Sequence, residues 1–138
     1  MAKRDKFHDA VRHGLEADGW IITHDPYVVK FGRQTLQVDL GAEMPIAAEK
    51  EGKKIAVEIK TFAGVTAMND LYQAVGQYLI YKSLIRDQEA DRVLYLAVPN
   101  DAYQENFYPS HGNKIREELN IHLVIYNPKE EEIAKWIE

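Results

Sequence analysis

The run Val93-Leu94-Tyr95-Leu96-Ala97-Val98 leaves this chain few folds to choose from. An unbroken apolar segment of that length suits a central strand whose two faces are both covered. A second segment, Lys54 to Lys60, alternates instead. Ile55, Val57 and Ile59 face one way, and Ala56, Glu58 and Lys60 the other. Two charges therefore interrupt the most strand-prone stretch of the chain, on the same side and one pleat (~6.6 Å) apart.

The remaining elements fall around these two strands. Phe7, Val11 and Leu15 recur at helical spacing, and Gly19 fits a stop, so a helix is expected over 4–18. A strand begins at Trp20-Ile21-Ile22 and breaks at Asp25-Pro26. Tyr27 to Phe31 continues extended, Gly32-Arg33-Gln34 turns, and Leu36 to Leu40 alternates as a strand. Pro45 marks an irregularity, and Ile46 to Lys60 reads as a hairpin about Glu51-Gly52. A helix capped at Asn69-Asp70 runs to about Arg86, with Leu71, Val75, Tyr78, Leu79 and Lys82 on one side. A turn around Pro109 to Gly112 leads to a short helix ending near Leu119, and Ile121 to Tyr126 is a further strand. The tail 129–138 is expected to be a short helix docking Ile133, Trp136 and Ile137. An antiparallel hairpin followed by strand–helix–strand crossovers predicts a mixed α/β (α+β) sheet flanked by helices. At 138 residues one domain, 1–138, is expected.

Composition narrows the chemistry. No cysteine is present, which excludes disulfides, thiolate zinc sites and a thiol nucleophile. No apolar stretch approaches the ~18 residues of a membrane span, and the start Met-Ala-Lys-Arg-Asp-Lys lacks a signal-peptide core, so a cytoplasmic location is expected. No glycine-rich phosphate loop occurs, and no two of the five histidines stand in an HxxxH or HxH spacing. The net charge of −5 argues against a large nucleic-acid footprint, but it is unevenly placed. Residues 1–60 hold ten basic and ten acidic side chains, whereas 61–138 hold seven and twelve. The charged strand lies in the balanced half.

Asp39, Glu58 and Lys60 together are the minimal apparatus for cutting a phosphodiester: two carboxylates for a hard divalent cation, and an ammonium beside it. Asp39 and Glu58 would be the carboxylate ligands of Mg2+ or Mn2+, with the Ile59 carbonyl as a further oxygen. Lys60 would position the water and stabilise charge on the phosphoryl oxygens. Glu16, Glu43 and Glu49 are additional carboxylates. His24 and Tyr27 are candidates to line the cleft. Gln73 and Gln77 share a helix stripe; Gln73 reads as a surface amide.

These residues also carry a resemblance. Asp39 followed by Glu58-x-Lys60, 19 residues on, resembles the signature of the restriction-endonuclease-like PD-(D/E)xK nuclease superfamily. The wider set Thr23 to Tyr27, Val38 to Glu43, Ala56 to Phe62, Ala74 to Tyr78 and Leu94 to Pro99 resembles the XisH family, the fdxN-element excision controlling factors of cyanobacteria. The resemblance implies a restriction-endonuclease-like core, a helix–β-meander–helix–strand arrangement with flanking helices. It places Gln77, in Gly76-Gln77-Tyr78, beside the site, and a first-helix Glu such as Glu16 near the metal. It further implies DNA as substrate, excision of a DNA element during heterocyst differentiation, and work alongside a site-specific recombinase. Two readings stay open. One is a Mg2+-dependent endodeoxyribonuclease, for which a homodimer would suit cutting two strands. The other is a non-catalytic accessory protein with a nuclease-like fold that binds the excision machinery, including an XisI-type partner.

Overall fold

The computed structural model describes residues 3–31, 34–35, 45–62, 67–107 and 111–138. Six strands form one mixed sheet: β1 (Ile21–His24), β4 (Ile46–Lys50), β5 (Lys53–Ile59), β6 (Arg92–Pro99), β7 (Leu123–Asn127) and β8 (Glu132–Ile137), side by side in that order. β4 and β5 are antiparallel, β5, β6 and β7 run parallel, and β1 and β8 are antiparallel edges. A separate two-stranded ribbon pairs β2 (Lys30–Phe31) with β3 (Gln34–Thr35). The helices among the described residues are α1 (Lys3–Ala17), α2 (Ala67–Gln88), α3 (Asn100–Asn106) and α4 (His111–Glu118). The architecture is the mixed α/β sheet expected. The strand expected over Leu36–Leu40 lies outside the described residues.

Each half of the alternating strand faces its own layer. Ile55, Val57 and Ile59 join Ala97, Val124 and Tyr126 under Val11 and Leu15 of α1. Ala56 joins Leu94, Leu96 and Leu123 under Leu71, Ala74, Tyr78 and Tyr81 of α2. From Leu94 to Val98 strand β6 feeds both layers, which is why that stretch is apolar. α1 ends as its sequence demands. Gly19 (φ +93°) takes the left-handed position, its N–H donates to the Glu16 carbonyl (3.0 Å), and Trp20 N–H donates to the Leu15 carbonyl (3.0 Å). The β4–β5 turn, Glu51 (φ 51°) and Gly52 (φ 83°), is a two-residue hairpin loop with both residues left-handed.

Two expectations need correction, and one element is new. The tail is strand β8, not a helix. A bulge between its pairings with Ile125 and Tyr126 inserts one extra residue, so Ile133 and Trp136, three apart, both pack on the α1 layer. The bulge thus imitates helical spacing, and pairing with the otherwise open edge of β7 decides the structure. On α2 the buried stripe is Leu71, Ala74, Tyr78, Tyr81 and Ile85, while Leu79 turns outward. The small Ala74 lets the helix approach and the two tyrosines fill the space. The new element is the helix of the polar segment Asn100–Asn106, directly after β6.

Candidate functional site

Glu58 is the anomaly of the core. It occupies the penultimate position of β5, between β4 and β6, on the α2 side, and is only 3% exposed. Its Oε1 is buried with no hydrogen-bond partner. Buried polar atoms are almost always paired, and a buried carboxylate without compensation is costly. Burial pushes the Glu58 carboxyl up to about 8 from the ordinary 4.5, with Lys60 pulling weakly the other way. A buried carboxyl perturbed in this way is a candidate functional group.

Lys60 stands one pleat further on. Its backbone N–H still donates to the Ala97 carbonyl (3.1 Å), so the ladder to β6 continues past Ile59 and keeps the side chain on the α2 side. The half-buried Lys60 makes no ion pair with Glu58 among the described residues; its Nζ donates to Gln73 Oε1 at 3.2 Å. Gln73, read from sequence as a surface amide, is therefore in the group. The signal was present: only six residues separate Lys60 from the start of α2, so the first turns of that helix must return beside it. Gln77 lies one turn along, half-buried. Tyr78 packs at the inner side, donating to the Leu94 carbonyl (2.9 Å) and accepting from His122 N–H (3.1 Å). Burial raises its hydroxyl to about 12, and the charge of Glu58 adds to the rise.

The other candidates are placed as follows. Asp39 and Glu43 lie outside the described residues. The chain re-enters at Pro45, one step beyond the last β4–β5 pair Ile46–Val57 and therefore level with Glu58. Ile59 closes β5, its side chain in the α1 layer. Glu16 is not brought to this group: it is exposed on α1, across the sheet, 3.9 Å from Arg12. Glu49 lies 3.8 Å from Arg92. Tyr27 is buried, its hydroxyl donating to Glu89 (3.0 Å) and its ring under the Arg92 guanidinium (4.8 Å), and exposed His24 packs edge-on against it. Among the described residues no group of three or more His, Asp or Glu is arranged to hold a metal. What fits a cation is the orphaned Glu58 oxygen. A cavity of about 760 Å³ lies at the other end of the sheet, lined by Trp20, Lys50, Tyr95, His122 and Trp136, and shares no residue with the Glu58 group. No helix among the described residues is long and apolar enough to cross a membrane.

Comparison with known proteins agrees with this architecture. The chain is similar to a fdxN element excision controlling factor protein from Anabaena variabilis, at 38% identity and a TM-score of 0.88, covering 98% of this chain and 100% of that one. It is equally similar to an XisH family protein from Nostoc punctiforme, at 38% identity and TM-score 0.88, covering 97% and 100%. No curated protein sequence matches. The family described as XisH protein matches residues 1–134, and the chain belongs to the XisH family.

Proposed function

We propose that this protein is a metal-dependent DNA endonuclease-like factor that assists programmed excision of a DNA element. The observation that carries the proposal is the buried carboxylate of Glu58, with one oxygen unpartnered, one pleat from Lys60. A buried carboxyl that keeps its proton for want of a counter-charge can give that proton up to a hard cation, Mg2+ or Mn2+. Bound there, such an ion would polarise phosphoryl oxygens and acidify water. Asp39 would be the second carboxylate and the Ile59 carbonyl a further oxygen. Lys60 presents a positive charge at the mouth of the group, where it would stabilise charge developing on the phosphate. Gln77 would bond the phosphate or a water. Such a set of ligands and lysine would be of the restriction-endonuclease-like kind. The role in excision is taken from the name of the Anabaena variabilis relative, and the near-complete mutual coverage supports bringing it here.

The test is incubation of the protein with supercoiled, linear and branched DNA and Mg2+ or Mn2+, beside Lys60→Ala. Cleavage that is lost in the variant supports the proposal. A second reading is favoured by the charge of residues 61–138, which carry the whole net −5. In it the protein is a non-catalytic partner of the excision machinery, binding an XisI-type protein or a recombinase. Absence of cleavage on all three substrates, with tight binding to such a partner, would select it.

A further inference from the structure

A lysine two residues from a buried glutamate, on the same side of a strand, starts about 6.6 Å from it and is long enough to reach it. The pair would relieve the cost of the buried charge. Here it does not form. Glu58 Oε1 is without a partner while Lys60 Nζ is hydrogen-bonded to Gln73 Oε1 at 3.2 Å. Three structural facts combine in this result. The β5–β6 ladder persists through Lys60 N–H and fixes where its side chain starts. α2 is anchored to the sheet by Leu71, Ala74 and Tyr78. Gln73 follows Leu71 by two residues and precedes Ala74, so anchoring the helix also fixes where its amide sits, at the exposed flank of the buried stripe. The acceptor for Lys60 thus lies at the rim, and the ammonium is held there.

We infer that Gln73 is a positioning residue that holds the Lys60 ammonium off Glu58 and so keeps the buried carboxylate open to a divalent cation. The inference rests on the cation reading of Glu58 given above, and it assigns the separation of the two charges to a named side chain. A neutral acceptor suits this task. It satisfies an ammonium donor without cancelling its charge, so Lys60 remains a free positive group for an anionic substrate. Without that acceptor, Lys60 has among the described residues the unpartnered Glu58 two residues back on the same side of the strand, and a pair between them would compete with the cation.

The experiment is a double-mutant cycle read by Mn2+ binding, using isothermal titration of wild type, Gln73→Leu, Lys60→Met and the double variant. Gln73→Leu should weaken Mn2+ binding about tenfold, the lower end of what partners supporting a metal ligand contribute. In the Lys60→Met background the same change should have no effect, because no ammonium is left to compete. An unchanged affinity in Gln73→Leu, or an equal loss with and without Lys60, overturns the inference. A crystal structure of Gln73→Leu decides it even if wild type binds no Mn2+. Lys60 Nζ within about 4 Å of a Glu58 oxygen, the reach of an ion pair, upholds the positioning role while the cation reading alone fails. Lys60 remaining away from Glu58 removes Gln73 from the role.

Discussion

Glu58→Gln should make the metal-free protein more stable in alkaline solution, although it removes a charged residue of the candidate site. The folded protein holds the Glu58 proton up to about 8, whereas the unfolded chain releases it near 4.5. Below 4.5 both states are protonated and the buried carboxyl costs nothing extra. As pH rises the unfolded state ionises first. Stability falls by 1.36 kcal/mol per pH unit until the folded state also ionises. Across the interval from 4.5 to about 8 the loss approaches about 5 kcal/mol, an upper limit because relaxation and entering water lessen it. Glutamine has the same shape and no proton to lose, so the variant escapes this term. Urea unfolding with chelator present, at about pH 4.5 and about pH 9, measures it. The two proteins should match at the acid end, and the variant should be several kcal/mol more stable at the alkaline end. Added Mn2+ should then stabilise wild type at the alkaline end and leave the variant unmoved. Equal stabilities in alkaline chelator would mean that the carboxylate is already compensated within the protein and is no open ligand.

Other substitutions probe the scaffold. Tyr78→Phe removes the donor to the Leu94 carbonyl and the acceptor of His122 N–H, and should cost about 1–3 kcal/mol in urea unfolding. Arg92→Lys gives up the bonds from the buried guanidinium to Glu89 and the Ile55 carbonyl, and should cost a similar ~1–3 kcal/mol while retaining the charge. Gly76→Ala places a methyl in open space on α2 and should stabilise by about 0.5–1 kcal/mol, seen as a higher thermal midpoint. Gly52→Ala, at φ 83° in the β4–β5 turn, should destabilise by about 1 kcal/mol despite equally open surroundings.

Much of the scaffold could be read from residue order because local and tertiary requirements agree there. The alternation of Ile55, Val57 and Ile59 against Ala56 and Glu58 is the division between the two layers. Glu51-Gly52 sits at the only two positions that need left-handed backbone in that hairpin, and Gly19 does the same for α1. The readings that failed did so where tertiary structure overrides local pattern. Ile133 and Trp136 have helical spacing, yet a bulge in an edge strand satisfies it equally well. Tyr78 and Tyr81, rather than Leu79, turn inward because Tyr78 finds a carbonyl and an N–H in the gap where β7 begins. At the candidate site, the side of the sheet that Glu58 takes follows from the strand period. Its missing partner does not, since isolation depends on every neighbour at once. Gln73 was undervalued for the same kind of reason: an amide on a helix flank acquires meaning only when the preceding strand ends beside it.

Cation ligation by the Glu58 carboxylate is the step on which the proposed chemistry depends. Electron paramagnetic resonance of Mn2+ titrated into the metal-free protein near its carboxyl value of about 8 tests it most directly. The expected result is one bound Mn2+ per chain in wild type, lost in both Glu58→Gln and Asp39→Asn. Equal occupancy in wild type and Glu58→Gln, or free Mn2+ throughout the titration of wild type, would contradict it.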